Sequence, residues 1–431
     1  MPRKRSPTQT PIVRMLSPLR DFVDTETSGA LLIAMAAVAA LIWANSPWSE
    51  TYERLWSSQA SLSVGGHSID LDLRHWINDG LMTIFFLVVG LEIKREVVDG
   101  HLSNRRAALL PMLAAVGGMV VPAVVYLAIA GNSAPRGWAI PMATDIALAV
   151  GVLAVAGSRL PSSLRAFLLG LAIVDDIGAI VIIAAVYSTG VLWSWLAATG
   201  LLLLGVTGVR WLGVHHVGVY VVLGFVVWFA LHQAGLHPTL AGVALGLMAP
   251  SVPRLQSEYV DIDKLTDVST AEAARETTTL AKGSVSVVEW LQHVLHPWTS
   301  YVVVPIFALA NSGIELSRSG FAAALGSPVA WGVFIGLVIG KPLGVVIAVK
   351  VAVRTGVADT PGGASSQQIL GIGTAAGIGF TVALFITELA FTDVQQQSNA
   401  KLAILLASLI AAMAAMLQLR RSVTVALRGF P

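Results

Sequence analysis

The chain has no cysteine among its 431 residues, which excludes disulfides and thiolate metal sites and leaves the redox compartment unread. Charge is scarce as well. Asp, Glu, Lys and Arg make up 12% of the residues, about half the share of an ordinary soluble domain, so a water-facing globular surface is excluded. The net charge is only +2, and the bases form no stripe of the kind that marks a nucleic-acid partner. Residues 1–28 carry bases but no apolar core, so they read as a cytoplasmic tail rather than a cleavable leader. What the chain has in abundance is apolar sequence, 55% of its residues. Runs long enough to cross a bilayer, about 17–25 residues each, number about twelve. They lie near 29–45, 76–91, 107–130, 135–156, 166–189, 191–209, 216–233, 235–250, 298–313, 329–349, 369–391 and 400–419.

These runs predict an all-α polytopic membrane protein. With an even number of spans and the N-terminus inside, 21 Lys and Arg residues fall on cytoplasmic segments and five on outer ones. That bias follows the positive-inside rule and places both termini in the cytoplasm. The organisation that follows is a tail (1–28), a transmembrane domain (29–421) and a second tail (422–431). Within the domain lie an outer loop (46–75) and a long cytoplasmic loop (251–297).

The one base left over, Lys341, sits inside a span, and three acids join it there. Asp145 lies in Met142-Ala143-Thr144-Asp145-Ile146 just after Pro141, and Asp175 and Asp176 are adjacent in the otherwise uncharged run 166–190. An ionised Asp at mid-bilayer costs about 2.5–3.5 kcal/mol even on lenient insertion scales, so these side chains are expected to converge on an interior cavity. An ion-pair network that only locks helices is the competing reading. Three carboxylates against one ammonium leave a surplus of negative charge that such a lock does not need.

Backbone interruption is the second signal. Pro141–Asp145 and the run Gly371–Thr381 are both poor continuous helix, and broken helices survive at membrane depth only where protein or a wet cavity covers them. The interrupted spans are the fourth and the eleventh, an odd offset. Units of spans three to five and ten to twelve would therefore insert with opposite orientation, as inverted-topology repeats with two discontinuous helices. Where the half-helices face each other, Asp145 can offset their positive ends and Lys341 their negative ends. Close helix packing through small residues remains the alternative for the glycine run. Outside the membrane, Ala60–Leu71 shows two alternating arms around Gly65-Gly66, a two-residue β-hairpin with Leu62, Val64, Ile69 and Leu71 on one face. An isolated hairpin is marginal in water, which favours pairing with a second copy; folding down over its own outer loops is the other option.

Ala143-Thr144-Asp145-Ile146-Ala147, Val174-Asp175-Asp176-Ile177-Gly178, Gly340-Lys341-Pro342-Leu343-Gly344 and Gly377-Ile378-Gly379-Phe380-Thr381 together resemble the signature segments of the NhaA family of bacterial sodium/proton antiporters. Trp76-Ile77-Asn78-Asp79-Gly80, Leu91–Glu96 and His293–Trp298 do so too, and the likeness runs from about Leu19 to Arg421. The resemblance implies electrogenic exchange of Na+, and of Li+, for H+ across the bacterial inner membrane. No cofactor is implied, and the transported sodium would be bound by Asp176 and Asp175. It implies that Asp176 is the principal ligand, that Asp175 pairs with Lys341, and that Thr144 and Asp145 support the site at the break. It ties Glu92, Lys94, Arg95, Glu96, His293 and His296 to pH response, and also His237, which reads equally well as a capping or interfacial histidine. It points to a homodimer.

One departure bears on the pH set point. The family pattern has an acid directly before His293, where this chain has Gln292, and Glu289 one turn upstream is the expected replacement if the two share a face. A sodium-coupled symporter of a small organic anion is the runner-up function. It would need a second intramembrane base, which the spans do not supply. A channel would need a continuous polar lining, and too few spans carry one.

Overall fold

A computed structural model describes residues 26–64, 67–100, 102–156, 161–188, 190–212, 214, 216–251 and 286–428. The N-terminal tail as far as residue 25, the Gly65-Gly66 turn, the side chains of Leu62, Val64 and Ile69, most of the long loop (252–285) and the last three residues lie outside the described set.

The molecule is helical, with one two-stranded sheet. Helix α1 (Glu26–Ala44) is followed by α2 (Ser49–Trp56), β1 (Gln59–Val64), β2 (His67–Asp72) and α3 (Met82–Val98). Then come α4 (Arg105–Ala130), a 3-10 segment Pro135–Met142, α5 (Ile146–Ala156), α6 (Ser162–Val186), α7 (Trp193–Trp211), α8 (Val217–Gln233) and α9 (Leu240–Met248). The C-terminal part holds α10 (Val287–Trp298), α11 (Val304–Asn311), α12 (Arg318–Gly326), α13 (Pro328–Ile335), α14 (Lys341–Arg354), α15 (Ser366–Ala376), α16 (Phe380–Ala390) and α17 (Val394–Arg428). Single π-helical turns at Thr299–Val303 and Gly336–Gly340 join α10 to α11 and α13 to α14 without breaking the rod. Among the described residues, six helices are long and apolar enough to cross a bilayer, or up to eight if two bent pairs each count as one span.

Two expected boundaries are corrected. The run 235–250 is helical only over the nine residues of α9, about 14 Å of rise and less than half a bilayer core. Gly235 takes φ +77° and Pro238 follows it, so the helix starts only at Leu240. The span expected at 298–313 begins eleven residues earlier, at Val287, because the Ser286 hydroxyl accepts from Glu289 N at 3.1 Å and caps it. The long loop therefore ends at Ser286.

Both strands of the expected hairpin form, on either side of the Gly65-Gly66 turn that lies outside the described residues. Strands β1 and β2 pair antiparallel from Gln59↔Asp72 to Val64↔His67. Helix α2 beside it folds back by 116° from α1. Its buried Tyr52 hydroxyl lies 2.8 Å from Leu309 O and 3.0 Å from Ala310 O and accepts from Gly313 N, closing the C-terminal end of α11. Burial pushes that hydroxyl up to about 12, so it keeps its proton at physiological pH.

Packing of α4 against α14 sets the depth of the charged residues. At Gly117 an added Cβ would lie 2.5 Å from Gly344 O, so the two helices meet backbone to backbone. The side chain of Lys341 runs over Gly118 on that contact and faces α6.

Candidate ion site at the crossing of two broken spans

Two interrupted spans meet at the centre of the bundle. In the first, the 3-10 segment Pro135–Met142 gives way to extended backbone at Ala143 before α5 begins. In the second, α15 ends at Ala376 and α16 starts at Phe380, with a 47° bend between them. Asp145 N donates to Ile378 O at 2.6 Å and ties one break to the other. The crossing is tight at Gly379, where a Cβ would stand 3.0 Å from the Ala143 carbonyl. The interruption expected over Gly371–Thr381 is confined to residues 377–379, because Gly371 and Gly373 are helical and lie against Leu419 and Pro342. Both readings of that glycine run thus hold, each for its own part.

Broken helices leave backbone groups without intrahelical partners, and side chains supply them here. The Asp145 carboxylate serves two helix starts. Its Oδ1 accepts from Leu148 N of α5 at 3.0 Å, and its Oδ2 accepts from Thr381 N at 3.0 Å and Thr381 Oγ1 at 2.7 Å on α16. The facing C-terminal ends receive donors. Lys341 Nζ donates to Met142 O, and the Thr144 hydroxyl lies 3.0 Å from Ala376 O.

Lys341 Nζ also donates to Asp175 Oδ2, and Thr144 Oγ1 lies 2.5 Å from the same oxygen. Lys341 is 0% exposed and Asp175 1%. Asp176, one residue on, is 5% exposed. Among the described residues no hydrogen bond reaches its carboxylate, although Asp175, Glu92, Asp145 and Lys341 all lie within electrostatic range. Direct contact brings together Asp175, Lys341 and Thr144. Asp145 instead turns to the helix ends, and Asp176 stands beside the cluster. No group of three His, Asp or Glu among the described residues is arranged to hold a resident metal ion.

The residues assigned to pH response do not form one group. Glu92, Lys94, Arg95 and Glu96 lie on α3, and α10 with His293 and His296 packs against that helix. Glu96 is buried, whereas both histidines are exposed. His237 lies elsewhere, in the 234–239 connection near Tyr187. Glu289 and Gln292 do not share an environment: Glu289 is exposed, while Gln292 is buried with Oε1 unpartnered. The acid has not moved into the Gln292 position.

Sequence reasoning missed Thr381, Met142 O and Ala376 O. Thr381 lies two residues past Gly379, inside the first turn of α16 rather than at its cap, so it carries no capping signal, and backbone carbonyls carry none either. It also missed two pairs away from the site, the buried Asn78 with Asn311 at 2.8 Å and the half-buried Lys401 with Glu388 at 2.5 Å.

A multi-pass helical membrane protein in which half-helices meet around buried acids and one lysine has the arrangement of secondary transporters, a generalisation for which NhaA is itself a reference case. Comparison with known proteins carries the assignment further. The profile of the Na+/H+ antiporter 1 family matches residues 20–419, and the chain belongs to that family. It is 45% identical over 408 residues to the Na(+)/H(+) antiporter NhaA 3 of Frankia alni, covering 93% of this chain and 88% of the relative. It is 42% identical over 423 residues to the Na(+)/H(+) antiporter NhaA of Oleidesulfovibrio alaskensis, covering 93% of each. A third relative, the Na(+)/H(+) antiporter NhaA 2 of Sorangium cellulosum, is 43% identical over 417 residues. The resemblance drawn from the motifs is borne out at the level of the family.

Proposed function

We propose that the chain is an electrogenic sodium/proton antiporter of the bacterial inner membrane, with Asp176 as the exchanging group. One observation carries this. Of the three buried acids, Asp145 is engaged by two helix ends and Asp175 by Lys341 and Thr144, which leaves Asp176 without a hydrogen-bond partner among the described residues. A buried carboxylate in that position is either protonated or bound to a cation, because the bare anion costs too much in a dry interior. Proton and sodium thus exclude each other at one site. Sodium is a hard cation that takes oxygen ligands, and the Asp176 oxygens, the free Asp175 Oδ1 and water supply them.

Competition becomes antiport when the site opens to one side at a time. A protonated Asp176 exposed to the cytoplasm loses H+ as Na+ enters. When Asp175 turns from Lys341 to the ion, the lysine loses the partner that holds its charge and releases a second proton. Two H+ leave for one Na+ bound, so each cycle moves one net charge. The crossing supports this movement, since both breaks share one set of side chains and shift together. On this reading the spans number about twelve, arranged as inverted repeats with both termini cytoplasmic. The domain bounds are 29–421, Li+ is an alternative cargo, and the α3 and α10 ends at the cytoplasmic face tune the pH response. The β1–β2 hairpin joins two copies into a dimer.

The test is sodium-dependent collapse of a proton gradient in liposomes holding purified protein. Asp176→Asn keeps the shape but cannot carry the titrating proton, so exchange should fall to background. Exchange near the wild-type rate in that variant would sink the assignment.

A further inference from the structure

We propose that a lateral groove between α4, the 3-10 segment Pro135–Met142 and the end of α6 binds an anionic phospholipid, with one acyl chain in the groove and the phosphate on Arg136. The groove encloses about 510 Å3 and is lined almost wholly by apolar groups, among them Val120, Val124, Leu127, Trp138, Met142 and Val186. Val120 is 53% exposed and Val124 59%, so the groove opens sideways from the bundle, the direction in which a membrane protein meets lipid tails. From Val120 to Leu127 it follows two turns of α4, about 10 Å, a depth suited to a flexible chain end and too shallow for a helix.

One cation stands at its rim. The Arg136 side chain is exposed, and among the described residues no ion pair or hydrogen bond engages its guanidinium; only its backbone carbonyl is taken, by the Tyr187 hydroxyl at 2.6 Å. No acid lines the groove to compete for that charge. Trp138 lines the same groove, an amphipathic ring of the kind enriched at bilayer interfaces. An apolar slot with a free guanidinium at its rim is complementary to a lipid with net negative charge. A zwitterionic lipid also carries a phosphate, but its own ammonium already neutralises it. The deep end reaches Met142, whose carbonyl takes the Lys341 ammonium. A chain lodged there therefore packs against the half-helix that, on the exchange reading above, has to move.

Lipid binding is measurable without any ion gradient, so its failure is distinct from failure of the exchange reading. Purified protein is titrated with phosphatidylglycerol or with phosphatidylcholine of the same acyl chains, and bound lipid is counted by native mass spectrometry. Phosphatidylglycerol should bind about fivefold more tightly, the equivalent of about 1 kcal/mol for one basic side chain at the surface. Arg136→Ala should abolish that preference, and Arg136→Lys should restore most of it. Val124→Trp, a change at a position already facing lipid, should fill the slot and displace both lipids from it. Equal binding of the two lipids by the wild type would overturn the proposal, as would an unchanged preference in Arg136→Ala or undiminished binding in Val124→Trp.

Discussion

Replacing Lys341 by Met keeps the length and apolar stem of the side chain and removes only the ammonium. The perturbation is severe because its surroundings are dry: Lys341 is 0% exposed and Asp175 1%, and the ammonium serves both Asp175 Oδ2 and the Met142 carbonyl. Stranding one member of a buried ion pair costs about 3–5 kcal/mol, whereas replacing both members by neutral groups costs far less. The informative set is therefore Lys341→Met, Asp175→Asn and the double variant. Each single change should lose about 3–5 kcal/mol, and the double should lose less than either single, giving a coupling of at least about 3 kcal/mol. Unfolding in mixed micelles by added anionic detergent gives an equilibrium free energy where heating gives only a rate. The pH dependence has a definite sign. In Lys341→Met the loss should shrink on acidification, because a protonated Asp175 has no charge to strand. A double variant no more stable than Lys341→Met would refute the pairing, whatever happens to exchange.

Three further outcomes follow from the same geometry. Asp145→Asn should slow exchange less than Asp176→Asn and lower stability by about 1–3 kcal/mol, since one buried helix end loses its acceptor; a variant with wild-type stability would show that Asp145 does not cap both ends. On the proposed competition of Na+ and H+ for Asp176, raising sodium should move half-maximal exchange to lower pH, by about one unit per tenfold sodium if one proton is displaced and about half a unit if two are. A profile indifferent to sodium would point to a separate sensor. Deleting residues 62–71 should convert dimer to monomer by light scattering while exchange in liposomes persists, and a fully dimeric deletion variant would place the contact elsewhere.

Charge in an apolar run is the most legible feature of a membrane sequence, because the bilayer tolerates it only where protein covers it. Asp145, Asp175, Asp176 and Lys341 stood out for that reason, and the pairing of Asp175 with Lys341 is present in the structure. What could not be read is anything that depends on which side of a helix faces its neighbour. The glycine run looked like one long interruption, yet Gly371 and Gly373 are helical residues kept small by Leu419 and Pro342. Glu289 and Gln292 are one turn apart, and the spacing fitted a shared face. The contact of α10 with α3 buries one and exposes the other. The short α9 misled for a different cause: hydropathy counts apolar residues, and Gly235 and Pro238 do not lower the count enough to show that 235–239 is not helix.

The division of labour among the three acids gives a physical reason for their number. A crossing of two broken helices creates two positive and two negative ends within one small volume, and in water these would be hydrated. Here a carboxylate is the one side chain that can satisfy both positive ends at once, since it offers an oxygen to each; an amide offers a single oxygen and leaves one end bare. Asp145 is thereby committed. The negative ends need donors: Lys341 supplies Met142 O directly, while the Thr144 hydroxyl has one proton to share between Ala376 O and Asp175. A lysine brought in for that purpose carries a charge that must itself be paired, which commits Asp175. Asp176 is the buried acid left without such a task, which is why the exchange reading puts the first proton on it and brings in Asp175 only when it turns from Lys341 to the ion.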